Sequence, residues 1–149
     1  MKELIKLQNE IADHLGIDRL PIKYEELELD DSRLYLKEEY VAINIKYKDN
    51  YLECAKAICH EYRHAFQIFY ANLFDNERAI RWKKLIPNLV NSSTINKDGS
   101  NYVNQELEVD AFAFTKYYLK EYENIDTVNK IEGLDKYLDL YIMNNKDIL

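Results

Sequence analysis

A chain of 149 residues with 47% hydrophobic and 32% charged residues, 3 Gly and 2 Pro is long enough for one buried core and too apolar for an extended disordered chain. Its net charge of -7, with no evident basic face, argues against nucleic-acid binding. No stretch reaches the length of a membrane span, and the acidity reads as solubility.

Residues 2–15 place Leu4, Leu7, Ile11 and Leu15 at helical spacing, with Gly16 as the C-terminal stop. His14 falls at the end of that helix, where a cation is favourable and a packing or surface role is expected. The N-terminus lacks the continuous apolar core and small-residue cleavage site of a signal peptide. Three short strands follow: Ile22-Lys23-Tyr24, Arg33–Leu36 and Val41–Tyr47, the last with strict alternation of Val41, Ile43, Ile45 and Tyr47. Lys37-Glu38-Glu39 is the expected hairpin, and a largely antiparallel sheet of three strands is predicted.

A long helix is predicted from Asn50, which with Glu53 resembles a capping box, to about Tyr70 or Ala71. Its apolar stripe is Ala55, Ile58, Tyr62, Ala65, Phe66 and Phe69. Cys54 and Cys59 lie on different sides of it, so a mutual disulfide is not expected and a reducing, cytoplasmic setting is. A short helix over Glu77–Ile86 stops at Pro87, and its basic residues read as a solvated face. Asn88–Asn101 is polar and loop-like. Helices from about Tyr102 to Tyr122 and around Leu134–Met143 complete an α+β fold, read as a single domain over residues 1–149.

The chemistry is concentrated in Cys59-His60-Glu61-Tyr62-Arg63-His64. Residues four apart on a helix lie ~40° from each other, so His60 and His64 can both point at one metal ion. Glu61 lies about 60° round from His64, placed as an adjacent base rather than a ligand. Zinc suits this arrangement of neutral nitrogen ligands, an open position and a base, although the same ligands accept other divalent metals. The bland reading is a pair of ordinary helix histidines, and the apolar stripe opposite them argues against a core version.

A catalytic zinc site needs a third protein ligand. Gln105-Glu106-Leu107-Glu108-Val109-Asp110 offers three carboxylates. Glu106 and Asp110 share a helical face, and Glu108 points nearly the other way. Glu106 is therefore the expected ligand, and Asp110 the expected acceptor for the second nitrogen of a ligating histidine. Taken alone, both would read as solvated helix carboxylates.

These two segments resemble the ImmA/IrrE family of short gluzincin-type metallopeptidases. That family pairs a His-Glu-x-x-His helix with a downstream Glu-x-x-Ala-Asn/Asp-x-Phe-Ala helix. His60–His64 is similar to the first element and Glu106–Ala113 to the second, with Val109 at the usual alanine. The likeness covers roughly residues 1–120. Arg63 stands where the family usually has Gly, and Tyr118-Leu119-Lys120-Glu121 where it tends to have Leu-Leu-Met-Pro. The resemblance implies a zincin-like fold, zinc held by His60, His64 and Glu106, Glu61 as general base, and a protein or peptide substrate of regulatory type. The alternative is a protein-interaction module of the same fold, with structural zinc or no activity. No second oxyanion donor stands out among Tyr102, Tyr117 and Arg63, the nearest in sequence.

Overall fold

A computed structural model of the chain describes residues 3–88, 105–129, 131 and 133–149. Helix α1 (Leu4–Leu15) buries Leu7, Ile11 and Leu15 and ends at Gly16, whose φ of 69° is left-handed and free of a Cβ penalty. Strands β1 (Ile22–Glu25), β2 (Ser32–Tyr35) and β3 (Tyr40–Asn44) form one sheet in the order β1-β3-β2. β2 pairs with β3 antiparallel, Leu34 opposite Val41, and β1 pairs with β3 in parallel, Ile22 opposite Val41. The sheet is therefore mixed, with β3 at its centre and β2 along one edge.

β3 ends at Asn44, earlier than the alternation to Tyr47 suggests. The Asn44 side chain donates to Leu27 O at 2.6 Å and to Asp30 O at 3.1 Å, and accepts from Lys46 N at 3.2 Å. This side-chain bonding competes with the ladder and turns Ile45–Tyr47 into a short 3₁₀ segment.

Helix α2 (Tyr51–Leu73) starts at Asn50, whose side chain accepts from Glu53 N at 3.1 Å. Helix α3 (Glu77–Leu85) is capped in the same way by Asn76, and a 3₁₀ turn over Ile86–Asn88 follows at Pro87. Helices α4 (Glu106–Glu123) and α5 (Leu134–Asn144) complete the five α-helices among the described residues. The loop expected over Asn88–Asn101 lies, past Asn88, outside the described residues, as does the helix start expected at Tyr102. No helix among the described residues is long and apolar enough to cross a membrane.

α2 runs through the middle of the fold. Ala55, Ile58 and Tyr62 pack with Leu7 and Ile11 of α1, Val41 and Ile43 of β3, and Phe114 and Tyr118 of α4. Its predicted stripe holds at this end and fails at the other, where Phe69 is exposed. Cys54 and Cys59 are free thiols buried in the same core, where Cys59 packs and Cys54 also donates to Tyr47 O at 3.1 Å. The opposite side of α2 is buried too, yet it carries Glu61, Arg63, His64 and Gln67. Buried polar groups of this kind persist only where their partners are built in. His14, at the end of α1, meets Leu149 O through Nε2 at 2.7 Å and packs against Phe114, Tyr118 and Tyr122.

Tyr62, inside the His-Glu-x-x-His segment, ties α2 to the chain entering β1. Its hydroxyl donates to Leu20 O at 2.6 Å and accepts from Leu20 N at 3.0 Å and Gln8 Nε2 at 3.3 Å. Tyr62→Phe removes the partner of Leu20 N, while Gln8 Nε2 still donates to Leu20 O at 3.3 Å, and is expected to lower unfolding free energy by about 1 kcal/mol, measured by urea denaturation.

Candidate metal centre

One turn of α2 separates His60 from His64, and their rings meet edge to face at 4.7 Å. The two Nε2 atoms lie 3.1 Å apart. Glu108 of α4 closes the group, with Oε1 2.9 Å from His64 Nε2 and Oε2 3.4 Å from His60 Nε2. These three residues are the group that comes together at metal-binding distance among the described residues. Zinc bonds of 2.0–2.1 Å in tetrahedral geometry set ligand atoms about 3.3 Å apart, so the observed separations fit a small divalent cation.

The electrostatics point the same way. Burial opposes the charged forms of His64 and Glu108, but their mutual attraction outweighs it. His64 is raised to about 9, and Glu108 is held well below the usual carboxylate range. The field that draws a proton to this point also favours a metal cation, which takes the place of that proton when it binds.

Glu61 lies beside the histidines on a cavity of about 510 Å³. Its Oε1 accepts from Ser32 Oγ on β2 at 2.9 Å, which holds the carboxylate toward the sheet edge. The cavity walls combine Leu34 and Leu36 from the strand side with Ile68, Ile86 and Phe112 from the helices. The ring of Phe112 packs tilted, at 58°, against that of His60, with centroids 4.5 Å apart. Nδ1 of His60 is buried without a hydrogen-bond partner among the described residues.

Behind His64 runs a buried polar chain. Its Nδ1 meets Gln67 Oε1 at 2.9 Å, and Gln67 Nε2 donates to Leu107 O at 2.9 Å and to Asp110 Oδ2 at 2.7 Å. Arg63 grips the same Asp110 with two bonds of 2.6 and 3.0 Å, and Tyr141 of α5 donates to it at 2.8 Å. Burial would raise the Asp110 carboxyl, but Arg63 and its other donors hold it down as a carboxylate. The remaining Arg63 nitrogen donates to Ile148 O at 3.0 Å, and its plane packs near Phe66, Trp82 and Phe114.

The expectation for α4 is corrected here. The carboxylate at the histidine pair is Glu108, and Glu106 lies elsewhere, gripped by Arg81 of α3 through contacts of 2.8–3.0 Å. Asp110 reaches His64 only through Gln67. The reason lies in the rotation of α4. Its buried stripe runs through Leu107, Ala111, Phe114 and Tyr118. Glu108 and Asp110 flank that stripe on opposite sides, about 60° and 100° from Ala111. Polar side chains of α2 meet both flanks, so both carboxylates are buried. Helical phase alone groups Glu106 with Asp110 and sets Glu108 nearly opposite, and does not tell which side of α4 meets the histidines. The signal that points to Glu108 is Arg63, a cation inside the motif that needs a carboxylate of its own. Of the three sequence-near oxyanion donors, Arg63 is committed to Asp110, Tyr117 lines a separate pocket, and Tyr102 lies outside the described residues.

No family signature, no curated protein and no solved structure matches this chain.

His60→Ala, His64→Ala and Glu108→Ala are each expected to weaken zinc binding by more than about 100-fold, beyond the range of an outer partner. Glu106→Ala is expected to leave it unchanged. Competition with a chromophoric chelator measures both; an equal loss from Glu106→Ala would mean that α4 is rotated differently.

Proposed function

We propose that this chain is a zinc-dependent peptidase that hydrolyses peptide bonds in a protein substrate, with His60, His64 and Glu108 holding the metal and Glu61 as general base. The observation that carries the reading is that Glu61 opens onto the same cavity as the three convergent donors. A purely structural site has no use for a carboxylate there. When bound, zinc acts as a Lewis acid and lowers the pKa of a coordinated water toward ~7. Glu61 then accepts the proton of the attacking water and returns it to the leaving amine. Ser32 keeps the Glu61 carboxylate oriented during both transfers.

The cavity suits an extended peptide. β2 lies at a sheet edge and contributes Ser32, Arg33 and Leu34 to the cavity wall. Asn44 N donates to Asp31 O at 2.8 Å, which makes Asp31/Asn44 and Arg33/Ala42 the hydrogen-bonded pairs. The backbone groups of Ser32 and Leu34 therefore turn away from β3, where a peptide strand can pair with them. The apolar walls accept neutral side chains on either side of the cleaved bond. The buried free thiols Cys54 and Cys59 suit a reducing, cytoplasmic setting. The resemblance of the two helical segments to ImmA/IrrE peptidases agrees with this activity and with a regulatory protein as substrate.

Glu61→Gln is expected to keep zinc and fold while lowering peptide cleavage by about 10²–10⁴-fold. Turnover of a peptide library by the zinc-loaded chain and by this variant checks it. Equal turnover in the two would remove Glu61 as the base.

A further inference from the structure

We propose that Gln67 is the positioning residue that selects the metal-binding tautomer of His64, so that it tunes metal affinity without touching the metal. The inference rests on the metal reading of the site and goes beyond it.

A side-chain amide can be placed two ways, with oxygen and nitrogen exchanged. Only one works at Gln67. The atom that meets Leu107 O and Asp110 Oδ2 faces two acceptors, so it must be the donor Nε2. Leu107 O is a backbone carbonyl and can only accept, so it fixes this orientation by itself. Oε1 is thereby turned toward His64 Nδ1, and an acceptor there must be met by an N–H. In the neutral ring the proton then sits on Nδ1, and the Nε2 lone pair points at Glu108 and His60. The other tautomer would set two lone pairs against each other 2.9 Å apart. Water cannot relieve that clash, because Gln67 is 0% exposed.

His60 shows the contrast. Its Nδ1 has no such partner among the described residues, so the selection operates on one histidine of the pair. Asp110 acts at one remove, since it orients Gln67 and not an imidazole.

The test compares zinc affinity in the full chain and in two variants, by competition with a chromophoric chelator. Gln67→Met keeps the volume and removes the acceptor; zinc affinity is expected to fall 10–100-fold. Gln67→Glu keeps an acceptor for His64 but removes the amide donor to Leu107 O and Asp110 Oδ2, and sets a second buried carboxyl beside Asp110 that must hold a proton. It is expected to lower Tm, yet to bind zinc within a few-fold of the native chain. In the zinc-loaded native protein the His64 Nδ1–H proton is expected to give a slowly exchanging, downfield NMR signal that Gln67→Met loses. Gln67→Leu serves in the same way should the Met variant not fold. Zinc binding by Gln67→Met within twofold of native, or an equal loss in both variants, overturns the role of Gln67 and leaves the metal site standing. A native chain that binds no zinc overturns both.

Discussion

A guanidinium and a carboxylate buried between α2 and α4 fix how the two helices meet. Arg63 and Asp110 are both 0% exposed and joined by two hydrogen bonds. A pair of this kind adds little net stability, because desolvation offsets most of the attraction. Its force lies in what it forbids. Rotating or sliding α4 by one residue leaves two charges buried and unpaired, at a cost of about 3–5 kcal/mol for each pair broken. Tyr141, Gln67 and Ile148 O satisfy the remaining polar atoms, so the register is held from three directions. With that register set, Glu108 arrives at His60 and His64.

From this contact the charge distribution of the site follows. α4 places one carboxylate with the imidazole pair and the next with the arginine, separated by the apolar stripe of Leu107, Ala111 and Phe114. The imidazole side faces the cavity, where Glu61 adds a second carboxylate, and the arginine side faces the core. Negative charge is thus gathered where a cation can enter and neutralised where none can. The sheet contributes through its edge, since β2 supplies both the wall of the cavity and the hydroxyl that orients Glu61.

Much of this was legible in the sequence. The helix stops at Gly16 and Pro87 and the cap at Asn50 act through local chemistry, and local chemistry can be read from letters. The His60–His64 pair follows from the 3.6-residue period alone. What could not be read was the rotation of α4, because it depends on a contact 47 residues away in the chain, between Arg63 and Asp110. Glu106 and Asp110 looked like a set because they share a face, whereas their partners, Arg81 and Arg63, sit on different helices. The parallel pairing of β1 with β3 is of the same kind, since it depends on β2 taking the edge. The end of β3 was missed for a local reason instead: the side chain of Asn44 makes bonds that the apolar alternation does not reveal.

α2 and α4 bring two imidazoles and one carboxylate to a common point, and the proposed function requires that point to hold a divalent metal. Anomalous diffraction at the zinc edge, from crystals of protein purified without chelator, tests it most directly. A metal held at this point gives one strong peak about 2.0–2.2 Å from His60 Nε2, His64 Nε2 and a Glu108 oxygen. A peak bound by Glu106, or a refined structure in which Glu108 turns away from both rings, would contradict it.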